Sequence, residues 1–220
     1  MNFFQKILML SRIFGIICGL VGCSRNEAVK SYSPADHNQL FKEGSELITP
    51  YMRLHGQPRD PKITSRARKD VSRGIELLQA VVTTNSQNWA AYWFIGKGYQ
   101  TLGKTEEACD AFRNSFSLQK QNADVAREYM FECLDLGRAQ EGVDAAEHAV
   151  SLEPKEPGLI ANLALAYLIA GKNGEALTKA EEALALDPGD KLTQTVVRVI
   201  REVASGKKPQ PKTLKDVDGS

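Results

Sequence analysis

The chain has almost no excess charge of either sign: 28 basic against 27 acidic residues leave a formal net charge of +1 over 220 residues. Nucleic-acid binding calls for a basic stripe or a high isoelectric point, so no nucleic acid is expected as a partner. A long hydrophobic run is missing too. The apolar stretch near the start, Ile13 to Gly22 (IFGIICGLVG), has ten residues, where a spanning helix needs about 20. Extending it back to Phe3 would bury Lys6 and Arg12, at a cost of about 2.5 to 3.5 kcal/mol each near a helix centre. Catalytic and metal signatures are absent as well: there is no HExxH, no paired CxxC and no phosphate-binding glycine loop. His37, His55 and His148 are scattered along the chain. The sequence therefore reads as a non-enzyme with no catalytic or metal-ligating set and no cofactor. Apolar content of 42% and charged content of 25% are those of a water-soluble globular protein over most of its length.

The start of the chain is different. Lys6 and Arg12 precede the short apolar run, the order of a secretory signal. The run ends in Leu20-Val21-Gly22-Cys23, which resembles the lipobox of bacterial lipoproteins. That resemblance implies a signal peptide over residues 1–22, cleavage between Gly22 and Cys23, a diacylglycerol joined to the Cys23 thiol, and acylation of the new amino group by a fatty acid such as palmitate. Each buried methylene contributes about 0.8 kcal/mol, so two or three chains form a durable anchor. Ser24, rather than Asp, follows the cysteine; in the Gram-negative sorting rule this resembles an outer-membrane lipoprotein facing the periplasm. Residues 23–36 contain a polar stretch with Pro34 and no helical periodicity, and read as a flexible tether.

Beyond the tether the chain repeats itself. Gly103, Gly137 and Gly171 are spaced by 34 residues, each followed by a basic residue, and Leu118, Leu152 and Leu186 keep the same step, as do Ala108, Gly142 and Ala176. A repeat of this length is one supersecondary unit that buries its apolar face by stacking on neighbours. Tyr92, Ile95, Gly96 and Tyr99 set the pattern of the first helix, at i, i+3, i+4 and i+7, which makes one buried stripe. The glycine that follows suits the left-handed turn ending a helix.

The period and pattern resemble the tetratricopeptide repeat. The expected fold is an all-α, right-handed solenoid of about three clear helix pairs, at 89–122, 123–156 and 157–190, preceded by a degenerate pair at 37–88. In that pair Ser65 to Thr84 is the second helix, while the first, Asn38 to Leu54, is interrupted near Pro50. Lys191 to Ala204, with Val196, Val199, Ile200 and Val203 on one face, reads as a capping helix. Residues 205–220 lack such a face and read as a disordered tail.

In this family the first helices line a concave groove. Carried onto this chain, the lining includes Trp93, Lys97 and Gln100 from the first repeat, Arg127, Phe131 and Leu134 from the second, and Leu165 and Leu168 from the third. Spacings of four and three keep these positions on one helix face. The lining is apolar, and an exposed strip of this kind wants a cover. The occupant is expected to be an apolar or amphipathic segment of an envelope protein or peptide anchored on Trp93 and Phe131. The other readings are a cover formed by the chain's own amino-terminal segment, or by a second copy in a homo-oligomer. The carboxylate clamp of chaperone-binding members is not reproduced, since Trp93, Glu128 and Gly158 stand at its positions. If adjacent helices run antiparallel about Lys120 and Gln121, Cys109 lies opposite Cys133. They are then either a disulfide, as an oxidising compartment permits, or two small core residues.

Together these features predict a membrane-tethered adaptor that binds a protein or peptide in the bacterial envelope. It broadly resembles the repeat lipoproteins that assist pilus or secretin assembly and those that gather cell-wall enzymes. The alternative is a self-associating structural subunit of an envelope complex.

Overall fold

A computed structural model describes residues 36–52 and 63–218. The signal, most of the tether and most of the loop before Ser65 fall outside the described residues. Among the described residues there are helices and turns but no strand, and no helix is long and apolar enough to cross a membrane.

The helices are α1 (His37–Ile48), α2 (Ser65–Thr84), α3 (Trp89–Leu102), α4 (Thr105–Leu118), α5 (Ala123–Asp135), α6 (Ala139–Leu152), α7 (Pro157–Ile169), α8 (Asn173–Leu186), α9 (Lys191–Ala204) and the short α10 (Leu214–Asp218). A 3-10 turn, Thr49–Tyr51, follows α1. It forms at Pro50, which has no N–H to donate to a continuing α-helix.

Side chains and backbone together set the helix ends. Asn88, Asn122 and Asp190 accept the amide hydrogens of Ala91 (3.0 Å), Val125 (3.2 Å) and Thr193 (2.8 Å), which start α3, α5 and α9. Gly103, Gly137 and Gly171 sit at φ of 73°, 70° and 76°. At each, the following residue donates its N–H back across the turn: Lys104 to Tyr99, Arg138 to Cys133 and Lys172 to Tyr167, at 2.8 to 2.9 Å. That is the glycine-terminated helix end that reverses the chain into a paired helix.

The pairs α1/α2, α3/α4, α5/α6 and α7/α8 pack closely, and each second helix packs on the first helix of the next pair. Close approach depends on missing side chains: a Cβ on Gly96 would lie 2.7 Å from the Phe112 ring. Phe112 is fully buried with Tyr129, Met130, Cys133 and Leu134 in a cluster that joins the first clear pair to the second. In the capping helix, Val197, Val199, Ile200 and Val203 are buried against Ala164, Leu168, Ala176 and Ala180 of the third pair.

The carboxyl-terminal segment is a correction to the sequence reading, which took 205–220 as disordered. Pro211 is buried, and the side chain of Gln210 donates to the Leu168 carbonyl and accepts from Asn173 at 3.0 Å. The Lys212 carbonyl lies beside Gly137, 3.5 Å from where a Cβ would stand. Asp216 accepts the amide hydrogens of Lys212 and Thr213, both at 2.9 Å, which holds its carboxyl below the usual range. α10 then packs on α5. Besides Pro211, the segment packs Leu214 and Val217 against the apolar cluster, too few apolar side chains to leave a visible amphipathic period.

Candidate functional site

The first helices of the three clear pairs, α3, α5 and α7, form a continuous face. Trp93 is half-buried on α3, its ring edge-on to Phe94 at 5.1 Å, with Phe94 in turn edge-on to Phe41 at 5.8 Å. One turn further along, Lys97 lies 5.7 Å from the centre of the Trp93 ring. Its ammonium is 3.2 Å from a carboxylate oxygen of Glu128 on α5, and the two side chains are only 7% and 8% exposed. Gln100 donates to the same Glu128 oxygen at 3.1 Å and to Glu132 at 2.8 Å. A buried polar clasp therefore joins α3 to α5 on this face. Charged groups so far from water are tolerated because they are paired and hydrogen-bonded.

Next to the clasp, Arg127 is paired with Asp124 at 2.7 Å. Phe131 and Leu165 are half-buried and belong to the apolar cluster that Leu214 and Val217 of the tail also join. The chain's own carboxyl-terminal segment therefore shares this cluster and packs on α5.

Residues 90–122, covering α3 and α4, match the family model of the tetratricopeptide repeat. The fold is a tetratricopeptide-repeat solenoid. MamA from Desulfovibrio magneticus aligns over 78% of this chain and 86% of its own, at a TM-score of 0.62 and 14% identity. PilF of Pseudomonas aeruginosa aligns over 78% and 71%, at 0.56 and 16%. YrrB, described as a repeat protein with an unusual peptide-binding site, aligns over 68% and 76%, at 0.56 and 19%. At these identities the likeness is one of fold. No curated protein sequence matches the chain.

In the repeat register, the groove positions divide into two groups. Trp93, Gln100, Arg127, Phe131 and Leu165 retain some exposure. Leu134 and Leu168 were expected in the open strip, yet both are fully buried. Leu134 fills the space above Gly142, where a Cβ would lie 2.5 Å from it, and Leu168 packs with α9. Both turn toward neighbouring helices, Leu134 toward α6 and Leu168 toward α8 and α9, rather than toward the groove. Lys97 is also buried, held in the clasp.

Of the buried acids Glu128, Glu132 and Asp135, the sequence placed only Glu128, at a groove position, and showed the burial of none. One signal for Glu128 was present: it lies 31 residues beyond Lys97, three short of the period, so the two sit on facing turns of successive first helices. The histidines do not converge. His37 meets Asn88 at 3.1 Å and His148 meets the Lys120 carbonyl at 2.7 Å, while His55 is outside the described residues. Among the described residues no group of His, Cys, Asp and Glu has the arrangement of a metal site.

Cys109 on α4 and Cys133 on α5 are both buried and free, their sulfurs 4.0 Å apart. Arg138 donates to the Cys109 sulfur at 3.5 Å and Arg113 at 3.9 Å. The hydrogen bond from Cys133, aided by the guanidinium groups of Arg138 and Arg113, holds the Cys109 thiol below its ordinary value. The same contact with Cys109, together with burial, pushes the Cys133 thiol up.

Proposed function

We propose that this chain is an adaptor that takes an apolar or amphipathic peptide on the face of α3, α5 and α7 while a lipid on Cys23 holds it at a membrane of the bacterial envelope. The observation that carries the reading is the row of Trp93, Phe131 and Leu165, one large apolar side chain on each successive first helix, all half-buried and none sealed in the core. The clasp of Lys97, Gln100, Glu128 and Glu132 fixes the spacing of α3 and α5, so the row is preorganised, which lowers the ordering cost of binding. A solved relative in fold, YrrB, is described as having a peptide-binding site, which agrees with this use of the fold. The tether rests on the resemblance of Leu20 to Cys23 to a lipobox, and an outer-membrane position facing the periplasm rests on Ser24.

A photo-crosslinking amino acid at Phe131, with Asn114 on an exposed part of α4 as the control, tests the binding face in cells. The expected result is a discrete adduct from Phe131, weakened in a chain carrying Trp93→Ala, and none from Asn114. Equal adducts from both positions reject the face, and an adduct of twice the chain's own mass identifies a second copy as the occupant. Metabolic labelling with an alkyne fatty acid tests the tether: label must appear on the chain and vanish in Cys23→Ser.

A further inference from the structure

We propose that Cys109 and Cys133 are a peroxide-reactive dithiol, with Cys109 attacking and Cys133 resolving, that closes a disulfide between the first and second clear repeats. The inference is independent of the adaptor reading and begins from geometry. The two sulfurs are 4.0 Å apart and come from helices of adjacent repeats. Bonding requires them to close to about 2.05 Å, a movement on the scale of a side-chain rotation.

The pair is not symmetric. Cys109 receives two guanidinium donors, from Arg138 at 3.5 Å and Arg113 at 3.9 Å. Positive charge beside a thiol favours the thiolate, the form that reacts with oxidants. Cys133 has no guanidinium contact of this kind among the described bonds. Its neighbour Tyr129 accepts from Arg113 at 3.1 Å and donates to Glu141 at 2.6 Å. The proton therefore stays on Cys133 and the negative charge falls on Cys109. Both thiols are fully buried, which excludes a bulky protein disulfide as the oxidant. Arg113, which contacts the Cys109 sulfur, has a side chain 43% exposed, so a small oxidant needs only a local opening at that side chain.

The chemistry balances with hydrogen peroxide as the oxidant. The Cys109 thiolate attacks one peroxide oxygen, the O–O bond breaks, and the departing hydroxide takes a proton to become water. Cys109 is left as a sulfenic acid. The Cys133 sulfur then attacks the Cys109 sulfur, the S–O bond breaks, and a second water leaves with the Cys133 proton. Two thiols and one peroxide give one disulfide and two waters, and the two electrons pass from sulfur to oxygen. The product ties α4 to α5, and so fixes the first clear repeat to the second.

The test treats the purified full chain with hydrogen peroxide, alkylates the remaining thiols after denaturation, and maps the peptides by mass. The expected product is a Cys109–Cys133 linked peptide that disappears on reduction. In Cys133→Ser, Cys109 halts as a sulfenic acid that a 1,3-dione probe, added with the denaturant, traps, while in Cys109→Ser the same treatment leaves Cys133 unlabelled. Arg138→Ala slows the linkage about tenfold as thiolate stabilisation is lost, and Arg138→Lys restores part of the rate. Arg113→Ala supplies the same comparison should Arg138→Ala fail to fold. Two outcomes overturn the proposal: both cysteines staying alkylatable after peroxide, or linkage at an unchanged rate without either arginine. Probe labelling of Cys133 rather than Cys109 overturns the assignment of roles.

Discussion

Lys97 is held in an unusual place for an ammonium, buried on the face of α3, α5 and α7 with Glu128 at 3.2 Å and the Trp93 ring at 5.7 Å. Glu128 is as deep and Glu132 deeper, and Gln100 bridges them. Removing only the cation leaves a buried carboxylate without its charge partner, so Lys97→Met is expected to cost about 3 to 5 kcal/mol of stability. The double variant Lys97→Met with Glu128→Gln removes both charges and keeps an acceptor for Gln100. It is expected to recover much of the loss, because the two sites are coupled. Urea unfolding followed by circular dichroism measures both, and equal losses in the single and double variants would show that the pair contributes only as packing. A residue that reads as a groove contact from its position in the repeat is thus first a structural one. The sequence carried the 31-residue offset between the two charges, but not the burial that makes the offset matter.

At the scale of the element, helix ends carry the pattern. Gly103 has nothing within 4 Å of a built Cβ and a φ of 73°, so Gly103→Ala isolates the backbone term. The expected loss is about 1 to 2 kcal/mol, the penalty of a left-handed conformation for an L-residue, and Gly103→Asn should lose less. Asp190, which caps α9, accepts from the Thr193 hydroxyl and from the amides of Thr193 and Leu192. Its carboxyl is held below the usual range, first by the Thr193 hydroxyl and then by the Thr193 amide. A carboxyl that is more acidic when folded stabilises most where it is ionised. The benefit is therefore complete above the ordinary carboxylate range, about pH 4, and is lost as pH falls through the folded value. Asp190→Asn keeps an acceptor but not the charge, so the difference between it and the parent should shrink on acidification. Asp190→Ala is expected to cost about 1 kcal/mol at neutral pH. Thermal unfolding from pH 7 to pH 3 reads both, and a difference that grows at low pH would contradict the assigned sign.

Whereas the Asn88, Asn122 and Asp190 caps emerged only with the structure, the glycine-terminated ends were legible because glycine acts locally and recurs with the period. The all-α solenoid follows from them together with the apolar stripe. α10 was not legible: its five residues are too few to form a helix alone. It forms because Asp216 satisfies the amides of Lys212 and Thr213 while Leu214 and Val217 find apolar cover. The burial of Leu134 was hidden for a related reason, since the space it fills is created by Gly142 on another helix.

At the scale of the whole molecule, a solenoid of this kind has mainly nearest-neighbour contacts, so its stability is close to a sum of repeat and interface terms, and its ends open first. The carboxyl-terminal segment breaks that rule. It leaves the capping helix, is fixed at Leu168 and Asn173 in the third clear pair, and passes Gly137 to place α10 on α5 of the second. A contact that skips a neighbour couples units that would otherwise open separately. Replacing Leu214 and Val217 together by Asp is therefore expected to speed amide hydrogen exchange in α7, α8 and α9 and on the face of α5, by about tenfold for each 1.4 kcal/mol of coupling removed. α1 and α2 pack on a separate cluster of Leu40, Ile48, Val71 and Leu78, and their exchange should not change. Faster exchange confined to residues 207–218 would mean that the segment rests on the solenoid without bracing it. Faster exchange spread through α7 to α9 would show that the last turns of the chain hold the third clear repeat closed, and that a partner displacing α10 from α5 would loosen that repeat as it binds.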